Sequence, residues 1–185
     1  MKFCSECARP VVQRVPEGDD RPRHVCSACG RIHYVNPRVV VGSVCPWEER
    51  LLLCRRAIEP RRGFWTLPAG FLEQGETTAG GARREAWEEA RARIDVRDLL
   101  AVYDLPHISQ VQVFFRAPLL DPAVAAGPES LEVALFTWDE VPWGELAFPT
   151  VRWALRYFHA TRDQVRLLPD VRTQDGADAA LLREV

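Results

Sequence analysis

The stretch Leu67-Pro-Ala-Gly-Phe-Leu-Glu-Gln-Gly-Glu-Thr-Thr-Ala-Gly-Gly-Ala-Arg-Arg-Glu-Ala-Trp-Glu-Glu89 decides how the rest of the chain is read. A helix over Thr78 to Arg93 advances about 100° per residue. Glu85, Glu88 and Glu89 then stand at i, i+3 and i+4 and share one narrow face with Gly81 and Ala92. Ala79, Ala82, Ala86 and Ala90 form a small apolar stripe beside them, suited to close packing on a sheet. Three like charges on one face oppose each other by roughly 0.2–0.5 kcal/mol per pair even when solvated. Burial raises that cost or drives the groups to take up protons. A divalent cation resolves the conflict, and hard carboxylate oxygens suit magnesium or manganese, which also hold phosphate oxygens. The plainer alternative is a solvated acidic helix face.

Working outward, short apolar runs flank this segment. Arg38 to Cys45 and Arg50 to Arg55 read as strands joined by a hairpin at Pro46-Trp-Glu-Glu49. Val96 to Leu105 and Gln110 to Ala117 read as strands either side of Pro106-His107, and Leu131 to Trp138 as another. Pro149 to Thr161 has the period of an amphipathic helix, with proline in its first turn. Strands and helices interleave, which predicts an α/β fold, a mixed sheet covered by helices. Three regions follow: 1–36, 37–161 and a tail over 162–185, the last reading as loose because it ends in Thr173-Gln-Asp-Gly-Ala-Asp178.

The first region carries Cys4-x2-Cys7 and, 18 residues on, Cys26-x2-Cys29. Paired spacing of this kind fits a four-thiolate zinc site in which two tight turns each present two sulfurs. A closed shell of four sulfurs leaves no place for substrate, so the zinc is expected to be structural, supplying folding energy that about 36 residues cannot draw from a core. His24 and His33 flank the second pair and read as surface or turn residues. Cys45 and Cys54 read as small buried hydrophobes.

The 185 residues allow one ordinary domain and a small appendage. A net charge of -2 provides no general attraction for nucleic acid or anionic membrane. The N-terminus lacks a basic region followed by an apolar run, and no apolar stretch reaches membrane-spanning length. These features predict a cytoplasmic protein, with no membrane partner and with nucleic acid disfavoured.

Gly70, five residues, Glu76, seven residues, then Arg84-Glu85-Ala86-x-Glu88-Glu89 resembles the Nudix box, G-x5-E-x7-R-E-U-x-E-E-x-G-U, with U aliphatic. Every charged position and the first glycine are present. The second glycine is Arg91 and the last aliphatic position is Ala92, which predicts a helix running a few residues further than in the pattern.

The resemblance implies a Nudix-like α/β/α sandwich preceded by the four-Cys zinc ribbon. It implies hydrolysis of a nucleoside diphosphate linked to another moiety. Carried over by position, Glu85, Glu88 and Glu89 are implied metal ligands, with Gly70 offering a backbone carbonyl, Arg84 orienting the carboxylates, and Glu76 bracing the loop or helping to bind metal. The general base is implied to be Glu89, or else Glu129 or Glu132 in Pro128-Glu-Ser-Leu-Glu-Val133.

A four-Cys ribbon before the sandwich is characteristic of two Nudix groups. NADH pyrophosphatases carry Ser-Gln-Pro-Trp-Pro-Phe-Pro after the box, which this chain lacks. The second branch is similar through Leu53-Cys-Arg-Arg-Ala-Ile-Glu-Pro-Arg61, Pro106-His-Ile-Ser-Gln-Val111 and Glu129-Ser-Leu-Glu-Val133. It includes hydrolases of FAD and ADP-ribose, which implies an ADP-linked substrate. Arg55, Arg56, Arg61 and Arg62 bracket the loop leading into the box and suit phosphates. Phe64, Trp65 and Tyr103 either stack on a substrate ring or fill the core. His107 and Gln110 are further candidates for polar contact with substrate. The competing functions are NADH or (d)NTP pyrophosphohydrolysis, and a non-catalytic zinc-ribbon binding module. By fold-level analogy alone, the ribbon suits a homodimer.

Overall fold

The computed structural model describes residues 1–164 and 168–173. Two compact units divide the chain, Met1–Pro37 and the residues from Arg38 onward.

The first unit is a small antiparallel sheet. Strands β1 (Val11–Arg14), β2 (Arg23–Cys26) and β3 (Ile32–His33) lie side by side in that order. The Pro16-Glu-Gly-Asp-Asp20 run makes the β1–β2 connection. Asp19 organises it by accepting from the Asp20 and Arg21 backbones and from the Arg23 guanidinium.

The second unit contains β4 (Arg38–Val44), β5 (Pro46–Trp47), β6 (Arg50–Arg56), β7 (Trp65–Thr66), β8 (Ala69–Phe71) and helix α1 (Thr78–Ala90). It continues with β9 (Asp98–Leu105), β10 (Gln110–Arg116), β11 (Ser130–Thr137), helix α2 (Pro149–Thr161) and β12 (Asp170–Thr173). One sheet has the order β12-β9-β10-β4-β8 and is mixed: β4 runs parallel to β10, and β12 parallel to β9. The other centres on β6, which pairs with β11, β5 and β7.

Both faces of β6 are covered, which is why it reads as a nearly continuous apolar run. Leu51 and Leu53 join a core with Tyr103, Phe114 and the α2 residues Val151, Leu155 and Phe158. Leu52 and Cys54 point the other way, onto Ala86 and Ala90 of α1. The alanine stripe thus packs as expected, and Ala82 meets Val41 of the five-stranded sheet. This is an α/β/α sandwich. Cys45 and Cys54 are buried small side chains, as anticipated.

Three expectations are corrected. The first concerns the hairpin at Pro46: it joins β5 to β6, not β4 to β6. β4 belongs to the other sheet, and the chain changes sheets at Cys45–Pro46 because proline has no N–H to extend a ladder. The second concerns the end of α1. Arg91 takes the left-handed conformation at φ 51° and ends the helix where glycine would. Its N–H and that of Ala92 close back onto Trp87 and Ala86 carbonyls at 2.9 and 3.1 Å. The third concerns the tail, part of which is ordered. Asp170–Thr173 adds an edge strand, held by the Tyr103 hydroxyl donating to Asp170 at 3.2 Å. The rest of the tail reading, over 165–167 and from residue 174, lies outside the described residues.

Candidate active site

The loop before α1 and the helix itself form one hydrogen-bonded unit. Thr77 caps the helix, its hydroxyl accepting from Gly80 N–H at 3.0 Å. From the second turn, Arg84 reaches back over the loop. Its guanidinium donates twice to Glu76, at 2.7 and 3.1 Å, and once to the Phe71 carbonyl at 3.0 Å. It also donates to Glu85 at 2.7 Å and Glu88 at 3.0 Å. Glu76 in turn accepts from Glu73 N–H at 2.7 Å. These contacts hold the Glu76 carboxyl below its ordinary range, the Arg84 hydrogen bonds foremost, and secure the arginine's charge.

Glu85 and Glu89 are buried, whereas Glu88 is exposed. Burial raises the pKa of Glu85, with Arg84 opposing the shift. Glu89 is pushed up to about 8, chiefly by burial, and its one hydrogen-bond donor among the described residues is Ala69 N–H at 3.1 Å. Glu129 adds repulsion to both, so its charge faces the same cluster. Gly70 lies against Glu85 so closely that a Cβ there would stand 2.4 Å from the carboxylate. Buried carboxylates that repel each other and have few donors suit a hard divalent cation. The donor set therefore fits magnesium or manganese.

A cavity of about 810 Å³ opens on this cluster. Arg84, Glu85, Glu88, Glu89, Gly70 and Glu129 line it, as do Arg61, His107 and Gln110. Glu76 stands behind, acting through Arg84. Five anticipated residues lie outside its lining, Arg62 among them. Glu132 and Arg55 face each other across β11 and β6 and pair at 3.5 Å outside the cavity. Trp65 is core, edge-on to Phe136 at 4.9 Å. Tyr103 is fully buried, packing on Phe114 and Trp153. Neither ring can stack on a ligand, because the sheet-to-helix core already covers both.

No sequence signal marks Phe148, Arg152 or Gln112 as site residues, and residue type alone does not separate Arg56 from Arg55. Phe148, Arg152, Gln112 and Arg56 line the cavity, and Arg55 does not. The period of two along β6 could have separated the arginines, since neighbours point to opposite faces. Arg56 stacks over Phe148 at 5.2 Å, and Arg61 over Phe64 at 5.2 Å.

In the ribbon, the sulfurs of Cys4, Cys7, Cys26 and Cys29 lie within 4.8 Å of one another. The nearest pairs, at 3.5 to 3.8 Å, match the edges of a tetrahedron with arms of about 2.3 Å. Cys29 and Ala28 N–H groups point at Cys26 Sγ and hold its pKa down at about 6. His33 is not a surface residue: it is buried with Nε2 3.3 Å from Cys4 Sγ, outside the four-sulfur shell.

Comparison with known proteins agrees with the fold. The profile described as NUDIX domain matches residues 36–160, and the one described as Nudix N-terminal matches residues 2–35. The chain belongs to the Nudix hydrolase family. A crystal structure of a NUDIX hydrolase from Nitrosomonas europaea superposes with a TM-score of 0.90 at 50% identity, covering 94% of this chain and 99% of that one. An ADP-ribose pyrophosphatase of Methanocaldococcus jannaschii is 31% identical over 121 residues, 62% of this chain and 69% of its own. The NAD-capped RNA hydrolase NudC of Chromobacterium violaceum is 34% identical over 94 residues, of which this chain spans 33% of the relative's length.

Proposed function

We propose that the protein hydrolyses the pyrophosphate bond of an ADP-linked nucleotide such as FAD or ADP-ribose, releasing AMP. The observation that carries this reading is the buried, Arg84-braced carboxylate cluster at one end of a cavity whose walls also carry Arg56, Arg61 and Arg152. The similarity to an ADP-ribose pyrophosphatase supports the choice of substrate.

Glu85, Glu88 and Glu89 would hold magnesium or manganese, with the Gly70 backbone beside them. When bound, such an ion withdraws electrons from a phosphoryl group and eases deprotonation of water. The chain supplies the rest. Arg84 fixes the carboxylates, and the guanidinium groups of Arg56, Arg61 and Arg152 take phosphate oxygens. Water oxygen bonds to one phosphorus, the bridging P–O bond breaks, and the other phosphate leaves with the electron pair. The water's proton passes to Glu89 or Glu129, the two base candidates that line the cavity. Zinc is the proposed ion of the ribbon, where it would be structural. Four cysteines paired for metal and two buried thiols suit a reducing compartment, which supports a cytoplasmic location. No helix among the described residues is long and apolar enough to cross a membrane.

A second reading, NADH as substrate, draws on the similarity to NudC. The test is a magnesium- or manganese-supplemented panel of FAD, ADP-ribose, NADH and dATP, with products resolved by mass spectrometry. AMP from FAD or ADP-ribose in preference to NADH is expected, and Glu88→Gln should lower that rate at least about 100-fold while the protein stays folded. Turnover confined to NADH or dATP would reject the substrate. Absence of turnover with any of them would favour a binding module.

A further inference from the structure

The four sulfurs of the ribbon differ in exposure. Cys4 and Cys26 are buried, whereas Cys7 and Cys29, the second cysteine of each pair, are exposed. The buried sulfurs also have donors around them. Cys26 Sγ accepts the N–H groups of Ala28 and Cys29, both at 3.4 Å, and His33 Nε2 stands 3.3 Å from Cys4 Sγ. Hydrogen bonds to a thiolate draw off electron density and blunt its attack, and burial keeps oxidants away. On the open side, Cys7 Sγ and Cys29 Sγ lie 3.6 Å apart. A disulfide bond measures about 2.05 Å, so about 1.5 Å of closure joins them. Cys26 is as near to Cys7, at 3.5 Å, but is shielded by its burial and its two N–H partners. Cys45 and Cys54 are buried with their thiols pushed up by that burial, which leaves them protonated and inert.

We propose that hydrogen peroxide oxidises Cys7 and Cys29 to a disulfide that releases the ribbon's zinc, making the first unit a reversible redox switch. The switch rests on the structural zinc proposed above. An exposed thiolate attacks one peroxide oxygen, the O–O bond breaks, and the other oxygen leaves as hydroxide. The neighbouring thiolate then attacks the sulfur of the resulting sulfenic acid. The S–S bond forms, the S–O bond breaks, and a second hydroxide leaves. Two protons from solvent turn both hydroxides into water. Each sulfur has given up one electron, and the peroxide has gained two. A disulfide sulfur lacks the negative charge that ligates zinc, so half of the shell is lost. The ribbon, which buries little beyond Cys4, Val25, Cys26 and His33, then loses the folding energy its core cannot replace. A thiol reductant reverses the bond by exchange.

The test exposes the full-length, zinc-loaded protein to hydrogen peroxide and follows released zinc with a chromogenic chelator. Cross-links are mapped by non-reducing peptide mass spectrometry. Zinc should appear in step with a Cys7–Cys29 cross-link, two hydrogens lighter than the free thiols, and reductant with added zinc should restore the loaded protein. Cys29→His keeps a zinc ligand but removes one partner of the pair, and should slow release at least about tenfold. Cys7→His serves the same purpose if that variant does not load zinc, and the wild-type map decides alone if neither does. Zinc kept by the wild type, or zinc released without a cross-link, would overturn the switch. So would a first cross-link between Cys4 and Cys7, Cys26 and Cys29, or Cys7 and Cys26, or unchanged release in the histidine variant. Untreated protein that contains no zinc sinks the zinc reading and the switch with it, whereas zinc present and kept under peroxide sinks the switch alone.

Discussion

Arg84 divides its five N–H donors among Glu76, Glu85, Glu88 and the Phe71 carbonyl, so one side chain ties loop and helix into a single geometry. Lysine could neutralise charge at this position but could not fork toward both Glu76 and Glu85. Arg84→Lys should therefore weaken magnesium activation about 10–100-fold, read as a rightward shift in the metal dependence of hydrolysis. An unshifted metal dependence would mean that the carboxylates hold their places unaided. The glutamates of this network were legible because a helix fixes neighbours by spacing alone, whereas the places of Arg84 and Glu76 followed only from the resemblance to the Nudix box. The aromatic and arginine lining of the cavity was not legible. Phe64 and Phe148 line the cavity while Trp65 and Tyr103 are core, and nothing in an aromatic's identity separates those outcomes. The same holds for Glu129 and Glu132, equal in chemistry and divided only by the register that sets Glu132 opposite Arg55.

Among elements, the end of α1 shows a local rule overridden by tertiary packing. Arg91 occupies a left-handed position that disfavours a side chain by roughly 1–2 kcal/mol. The loop after β10 explains why the helix stops there. Ala125 and Gly127 donate their N–H groups to the carbonyls of Ala90 and Glu89, both at 2.9 Å, taking acceptors that another helical turn would need. Gly127 approaches so closely that a Cβ would fall 1.6 Å from the Glu88 carbonyl oxygen. Arg91→Gly should then stabilise the sandwich by up to about 1 kcal/mol, since the stack of Arg91 over Trp87 that it gives up is a surface contact. The expected reading is a rise of roughly 2–4 °C in the melting temperature. A fall would show that the arginine contributes more than its backbone costs. Element existence was legible wherever period and length sufficed, as for α2. Strand partnership was not, because β4 and β6 are adjacent in sequence yet lie in different sheets. β12 was missed for a related reason. Asp170-Val-Arg-Thr173 has little apolar content, and contacts with Tyr103 and Trp153, distant in sequence, hold it.

For the molecule as a whole, the two units depend on different sources of stability. The sandwich buries long apolar rows on both faces of its sheets, whereas the ribbon buries little beyond Cys4, Val25, Cys26 and His33. So small a core cannot offset the chain entropy of about 36 ordered residues. Four converging thiolates can, because binding a structural zinc is worth on the order of 10–16 kcal/mol near neutral pH. The turns that carry them support this. Ala8 and Gly30 each follow the second cysteine of a pair and both adopt positive φ, and their N–H groups return to the Cys4 and Cys26 carbonyls at 3.0 and 3.2 Å. The His33 ring against Cys4 Sγ braces the cluster from outside. Metal analysis should accordingly find one zinc per chain. Its removal with a strong chelator should unfold residues 1–37 while leaving the sandwich intact. Limited proteolysis of the chelated protein should cut within the first 37 residues and leave a fragment beginning near Arg38, and restoring zinc should restore protection. If the chelated protein resists cleavage there as well as the untreated protein does, the ribbon is held by its sheet and not by a metal, and the thiolate cluster would need another explanation.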